Sequence, residues 1–233
     1  MENQDSNISA FEEPIEIPVK PTSVAEHLNE PNIKFTENSK NTKQAIIISF
    51  AVIFILLILD QWLKVYIKTS YQLGEEHLMI GNWARLHFIE NNGIAFGIAL
   101  PGNFGKIILT IFRILASTGI YYLLLKIIKK GAPKGLVIAG SLVFAGAIGN
   151  ILDCVFYGMV FQDINSYTGG FLNGRVVDML YFPVINTIWP NWVPMVGGSE
   201  FSFFEPIFNL ADASISTGII AVLLFYKKWL KHL

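Results

Sequence analysis

The stretch AIIISFAVIFILLILDQWLKVYI, residues 45–67, decides the fold. No charge interrupts it before Asp60, and its length is close to the ~20 residues that carry a helix across ~30 Å of hydrocarbon. Three more runs of this kind follow, at about 107–128, 136–156 and 207–229. Four membrane-spanning helices are therefore expected. Barrel strands are about ten residues long and alternate in polarity, which these runs do not. A soluble bundle of buried helices is the competing fold and is set aside.

Basic residues orient the spans. Lys126, Lys129, Lys130 and Lys134 fill the link between the second and third runs, Lys227, Lys228 and Lys231 follow the fourth, and Lys40 and Lys43 precede the first. With four crossings all three places share one side, which the positive-inside rule makes cytoplasmic, along with both termini. Lys64 and Lys68 lie at the other end of the first run, where long side chains can snorkel. Residues 1–44 are polar and hold Pro14, Pro18, Pro21 and Pro31, so they read as a disordered cytoplasmic tail before a membrane domain at 45–233. They do not read as a secretory signal, having no basic start and no small-residue cleavage site after the first apolar run.

Composition narrows the chemistry. The 233 residues are 52% hydrophobic, with mean hydropathy +0.48 and net charge −1. No basic stripe interleaved with aromatics suggests nucleic acid. Cys154 is the single cysteine, so no internal disulfide forms. His27, His77, His87 and His232 are not at metal-ligand spacing. No nucleophile elbow and no phosphate-cradling glycine loop occurs, nor does the Gly-x-Gly-Asp of another class of intramembrane protease.

Two segments lie outside the spans. Residues 70–106 contain Trp83–Ile89, which partly alternates like a strand, with Asn92-Gly93 offering a turn after it. Residues 157–206 are long, aromatic and rich in glycine, and loops of that length are functional or disordered. Trp62, Trp83, Trp189 and Trp192 are expected as anchors at the outer interface.

The acids sit where apolar runs meet these segments. Asn150-Ile-Leu-Asp153 closes the third run, Asn209-Leu-Ala-Asp212 opens the fourth, and Arg175-Val-Val-Asp178 lies between them on a strand-like stretch. Carboxylates at a membrane edge are costly and mark working sites or buried partners. Asn209 and Asp212 share a helix face, in a first turn where the helix dipole favours negative charge or where the acid serves as a cap. Asp153 lies at the unfavourable end of its helix and needs a donor, for which Arg175 is a candidate. Asp60 and Lys64, four apart, read as an ion pair or as a head-group contact. Asp178 is alone in an apolar run, where an unpaired charge is expensive. Two such carboxylates in one site share a proton. The charged one can accept a proton from water while the protonated one hydrogen-bonds the scissile carbonyl; the sequence leaves open which holds the proton, with the helix dipole at Asp212 favouring Asp178. A small transporter or proton-relay module is the alternative, and its acids would lie near the bilayer midplane.

Five blocks resemble the bacterial lipoprotein signal peptidases: Leu59-Asp60-Gln61 with Lys64, Asn91-Asn92-Gly93-Ile94-Ala95-Phe96-Gly97, Gly149-Asn150-Ile151-Leu152-Asp153, Val176-Val177-Asp178, and Phe208-Asn209-Leu210-Ala211-Asp212. Their order relative to four spans carries the likeness over residues 45–233. The resemblance implies an all-α membrane protein of four transmembrane helices, with a small extracytoplasmic β-sheet and a long outer loop that covers the site. It implies an aspartic endopeptidase of the inner membrane, active at the outer leaflet, that cleaves prolipoproteins before the lipid-modified cysteine of the lipobox. Asp178 and Asp212 would be catalytic, and Asp60, Lys64, Asn91, Asn150, Asp153 and Asn209 would bind substrate or hold the site in shape. No metal or organic cofactor is implied. The partners are lipidated prolipoproteins and membrane lipids, and a monomer is expected. Two features depart from the pattern. Cys154 stands where the family often has Arg, and the segment 156–174 is longer than the usual link.

Overall fold

The computed structural model describes residues 30–81, 83–92, 102–162, 164, 169–183, 185–203 and 206–230. The block Gly93–Gly97, His232 and residues 1–29 of the expected tail lie outside these residues. The chain divides into two units, Met1–Ser39 and Lys40–Leu233. In the first, residues 30–39 are helical.

Helix α1 is assigned over Glu30–Ser70, so it starts well before the tail boundary expected at residue 44. Extending a formed helix costs far less than nucleating one, and no proline follows Pro31 to stop it. The other long helices are α2 (Gly102–Lys129), α3 (Lys134–Leu152) and α4 (Leu210–Leu230). A π-helical turn, Asp153–Tyr157, and a short helical turn, Gly158–Val160, prolong α3. Among the described residues four stretches are long and apolar enough to cross a membrane: Lys40–Ser70, Phe104–Lys129, Lys134–Val160 and Leu210–Trp229. The fourth begins three residues later than the hydropathy suggests, because Ile207 and Phe208 pair in a sheet with Tyr181 and Leu180.

These helices turn large apolar side chains outward, among them Phe50, Phe54, Ile58 and Trp62 of α1 and Leu223 and Leu224 of α4. Such surface is unfavourable in water and suited to lipid tails. Between the helices the contacts are small and polar. The hydroxyls of Ser141 and Ser49 hydrogen-bond at 2.8 Å in a buried pair. A Cβ on Gly146 would lie 2.3 Å from the carbonyl of Ala211, so glycine there lets α3 and α4 touch backbone to backbone.

The connections at one end build a four-stranded antiparallel sheet, in the order β1-β2-β3-β6. Its strands are β1 (Glu76–Ile80), β2 (Ala84–Asn91), β3 (Val176–Tyr181) and β6 (Ile207–Phe208). Strands β4 (Ile185–Ile188) and β5 (Glu200–Phe203) form a separate hairpin. On one face of β3, Val177 and Met179 pack fully buried with Ile67, Phe88, Tyr157 and Phe161. Strand alternation turns Asp178, also buried, to the opposite face. The basic residues Lys126, Lys129, Lys130, Lys134, Lys227 and Lys228 lie at the helix ends remote from the sheet.

Candidate active site

Asp178 projects from the middle of β3 and Asp212 from the first turn of α4. Asn209 connects them. Its Oδ1 accepts from the backbone N–H of Asp212 at 2.9 Å and so caps the helix. Its Nδ2 donates to Asp178 Oδ1 at 2.7 Å and also lies 3.1 Å from Asn150 Oδ1 and 3.3 Å from the carbonyl of Val177. The Asn209 backbone N–H points back at Asp212 Oδ2, 3.5 Å away. One residue, fully buried, thereby fixes the helix start and holds both acids.

The register of β2 on β3 supplies another donor. Asn91 pairs with Val176, and its Nδ2 reaches Asp178 Oδ2 at 3.2 Å. From α3, Asn150 donates through Nδ2 to Asp212 Oδ1 at 2.7 Å. Among the described residues no cation lies at ion-pair distance from Asp178 or Asp212, and neutral amides surround them. Burial, and next the charge of Asp212, push Asp178 up to about 7, against the pull of Asn91, Lys64 and Asn209. Asp178 thus stays partly protonated at neutral pH, where an exposed carboxyl is fully ionised.

A second cluster lies directly behind. Lys64 is completely buried; it donates to Asn150 Oδ1 at 2.9 Å and forms ion pairs with Asp60 Oδ2 at 2.9 Å and Asp153 Oδ2 at 2.8 Å. This fixes the orientation of Asn150, whose carbonyl faces the ammonium and whose amide nitrogen faces Asp212. Asp60 Oδ1 accepts from the backbone N–H of Ala211 at 2.9 Å, so a side chain of α1 caps α4. The expected Asp60–Lys64 pair forms, as part of a triad with Asp153.

Asp153 takes its donors from Lys64 and from Gln61 Nε2 at 2.9 Å, in place of Arg175. Arg175 instead binds Glu90 Oε2 at 3.1 Å, and the same buried carboxylate pairs with Lys68. The π-helical turn makes the difference. It adds a residue to the helical repeat and buries Asp153 beside α1. Its freed carbonyls are taken by the loop after it, Gly174 N–H donating to Cys154 O at 2.8 Å and Leu172 N–H to Val155 O at 3.1 Å. Part of the long 156–174 link therefore lies against this turn. At Cys154 a guanidinium arrives from another helix, with Arg113 Nη1 3.0 Å from Sγ.

Every candidate residue falls in this one assembly: Asp178, Asp212, Asn91, Asn150 and Asn209 around the acid pair, and Asp60, Lys64 and Asp153 behind it. Sequence reasoning passed over Gln61 and Tyr157. Gln61 bonds Asp153 and the Gly149 carbonyl, and Tyr157 donates to Gln61 Oε1 at 3.1 Å. Gln61 stood inside a recognised block. Tyr157 gave no signal, because the π-helical turn that aims it leaves none.

Comparison with known proteins agrees with this picture. A family model described as Signal peptidase (SPase) II matches residues 52–228. A lipoprotein signal peptidase of Porphyromonas gingivalis is 42% identical over 76% of this chain and 82% of its own length. Another, of Amoebophilus asiaticus, is 33% identical over 75% of each. A solved bacterial membrane enzyme superposes with a TM-score of 0.54 at 26% identity, over 77% of this chain and 87% of that one. Fold, site and likeness define a polytopic bacterial membrane peptidase. More narrowly, the chain belongs to the signal peptidase II family. A transporter or proton relay is not favoured.

Proposed function

We propose that this protein removes signal peptides from prolipoproteins, cutting before the diacylglyceryl-modified cysteine of the lipobox, with Asp178 and Asp212 as the catalytic pair. The observation that carries the aspartic mechanism is the environment of Asp178: buried, bonded to the amides of Asn91 and Asn209, and raised to about 7 by burial and by Asp212. In the reactive form Asp178 is protonated and hydrogen-bonds the scissile carbonyl oxygen. Asp212 takes a proton from the attacking water as its oxygen bonds to the carbonyl carbon. The Asp178 proton passes to the carbonyl oxygen, giving a neutral tetrahedral intermediate. On collapse the C–N bond breaks, the proton on Asp212 goes to the leaving amine of the modified cysteine, and the hydroxyl proton returns to Asp178. Asn209 and Asn150 hold the two carboxyls so that this exchange needs little reorganisation.

The lysines remote from the sheet support placing both termini in the cytoplasm and the site at the outer leaflet. A monomer bound to lipidated substrate is part of the same proposal. The test is cleavage by purified protein of a diacylglyceryl-modified lipobox peptide and of its unmodified form. Cleavage of the modified form alone, lost in Asp178→Asn and in Asp212→Asn, is expected. Equal cleavage of both would remove lipid recognition, and full activity in either variant would remove the acid pair.

A further inference from the structure

The β4–β5 hairpin grows out of the strand pair that sets up the site. Leu180 and Tyr181 of β3 pair with Phe208 and Ile207 of β6, and the β4–β5 hairpin lies between these strands in the chain. Its base is fixed by aromatic contacts, Phe182 stacking on Phe208 at 5.7 Å and meeting Trp83 at 5.9 Å. The base also lies beside the start of a spanning helix, since β6 ends at Phe208 and α4 begins at Leu210.

Three properties of the tip point to lipid. First, residues 179–199 contain no Asp, Glu, Lys, Arg or His. Second, the tip exposes Trp192 at 81% and Ile188 at 63%, leaves Met195 entirely uncovered and Val196 partly so. Third, its backbone bonds to itself. Trp189 N–H donates to Ser199 O and Gly198 N–H to Trp189 O, both at 2.9 Å. Val193 N–H donates to Pro190 O at 3.0 Å and Gly197 N–H to Val193 O at 2.9 Å. A loop that presents apolar side chains and occupies several of its own amides suits the interfacial layer, where the remaining amides still meet headgroups and water.

We propose that the hairpin tip, centred on Trp192 and Met195, is a membrane-seated element that lies in the interfacial layer of the leaflet at the sheet end. Its occupant is lipid. The neighbouring start of α4 already sets the level of that interface, and strands of four residues at about 3.3 Å each leave the tip within reach of it. Tryptophan settles where ring and N–H meet acyl chain and headgroup, and methionine adds apolar area with an adaptable shape. The seated hairpin ties the strand bearing Asp178 and the helix bearing Asp212 to a fixed depth.

The test uses the full chain in lipid nanodiscs and needs no peptidase activity. Trp192→Cys and Met195→Cys are spin-labelled separately. Both sites are exposed, so the label displaces no packed group, and unsubstituted protein controls for labelling of buried Cys154. Leu223→Cys, on the outward face of α4, serves as the lipid reference, and Lys130→Cys, in the turn after α2, as the aqueous one. Relaxation by oxygen should exceed relaxation by a water-soluble nickel chelate at 192 and 195, as at 223, with depths of about 5–10 Å below the headgroups. Accessibility to nickel matching position 130 overturns the proposal. So does protection that arises only when a diacylglyceryl-modified peptide is added, which makes substrate the occupant. Protection seen only in discs holding two copies makes the partner a second chain and overturns it as well.

Discussion

Asp178 and Asp212 sit among amides, whereas Asp60 and Asp153 sit against an ammonium. All four are acids at the same end of the bundle, and Asn150 touches both groups, giving its carbonyl to Lys64 and its amide to Asp212. The difference lies in the counter-charge. Lys64 compensates its two carboxylates and turns them into a brace between α1, α3 and α4. The other pair has no cation at ion-pair distance among the described residues, and burial and then the charge of Asp212 raise Asp178. Burial alone does not set an acid's protonation. What it is buried with decides.

The largest expected effect comes from removing a member of the uncompensated pair. Asp178→Asn or Asp212→Asn should lower cleavage by about 10²–10⁴-fold or more, with the protein still folded. Activity in the parent should fall as pH rises through about 7, where Asp178 loses its proton. The stability effect has a definite sign. A folded pKa raised above the ordinary 3.8 means that the native state holds an extra proton between those values, so stability declines as pH rises through that window. Thermal unfolding in detergent between pH 5 and 8 should show a slope that Asp178→Asn reduces. An unchanged slope would mean that Asp178 is ionised like an ordinary acid.

The compensated group should respond in stability first. Lys64→Met strands two buried carboxylates, and breaking such a pair costs about 3–5 kcal/mol. A sharply lower unfolding midpoint is expected, with loss of activity following loss of structure. A variant as stable as the parent would show that the brace lies elsewhere.

The contrast between the groups was only half legible in the sequence. Hydropathy alone gives four spans, because their length is set by bilayer thickness. The Asn-x-x-Asp spacing puts Asn209 and Asp212 on one face, because the helical repeat is local. The partner of Asp153 was not legible: Arg175 stands closer in sequence, yet Lys64 reaches it through the approach of α1 to a π-helical turn that no local pattern announces. The hairpin at 185–203 was likewise invisible as structure, its Trp residues being readable only as anchors.

Asn150, shared by the groups, gives an intermediate effect. Asn150→Ala removes a hydrogen bond to a charged carboxylate, worth about 1.5–3 kcal/mol, or roughly 10–100-fold if expressed wholly in rate. The loss should appear in kcat more than in KM, because Asn150 orients Asp212. A change confined to KM would make it a substrate contact instead.

The smallest effect tests how rigid the brace is. A Cβ on Gly149 would stand 2.7 Å from Asp60 Oδ2 and 3.2 Å from the Cβ of Ala211. The Asp60 carboxylate cannot swing aside freely, because Oδ1 holds the Ala211 N–H and Oδ2 holds Lys64. Gly149→Ala must therefore press α3 away from α4 or break one of those bonds, at about 1–3 kcal/mol for overpacking. No charge and no donor is removed, and the Asp178–Asn209 contact is untouched. Stability should fall while the activity of the folded fraction, and its pH dependence near 7, stay close to the parent's. If the unfolding midpoint does not move, Asp60 is free to yield, and the Lys64 cluster is a looser brace than its three short contacts imply.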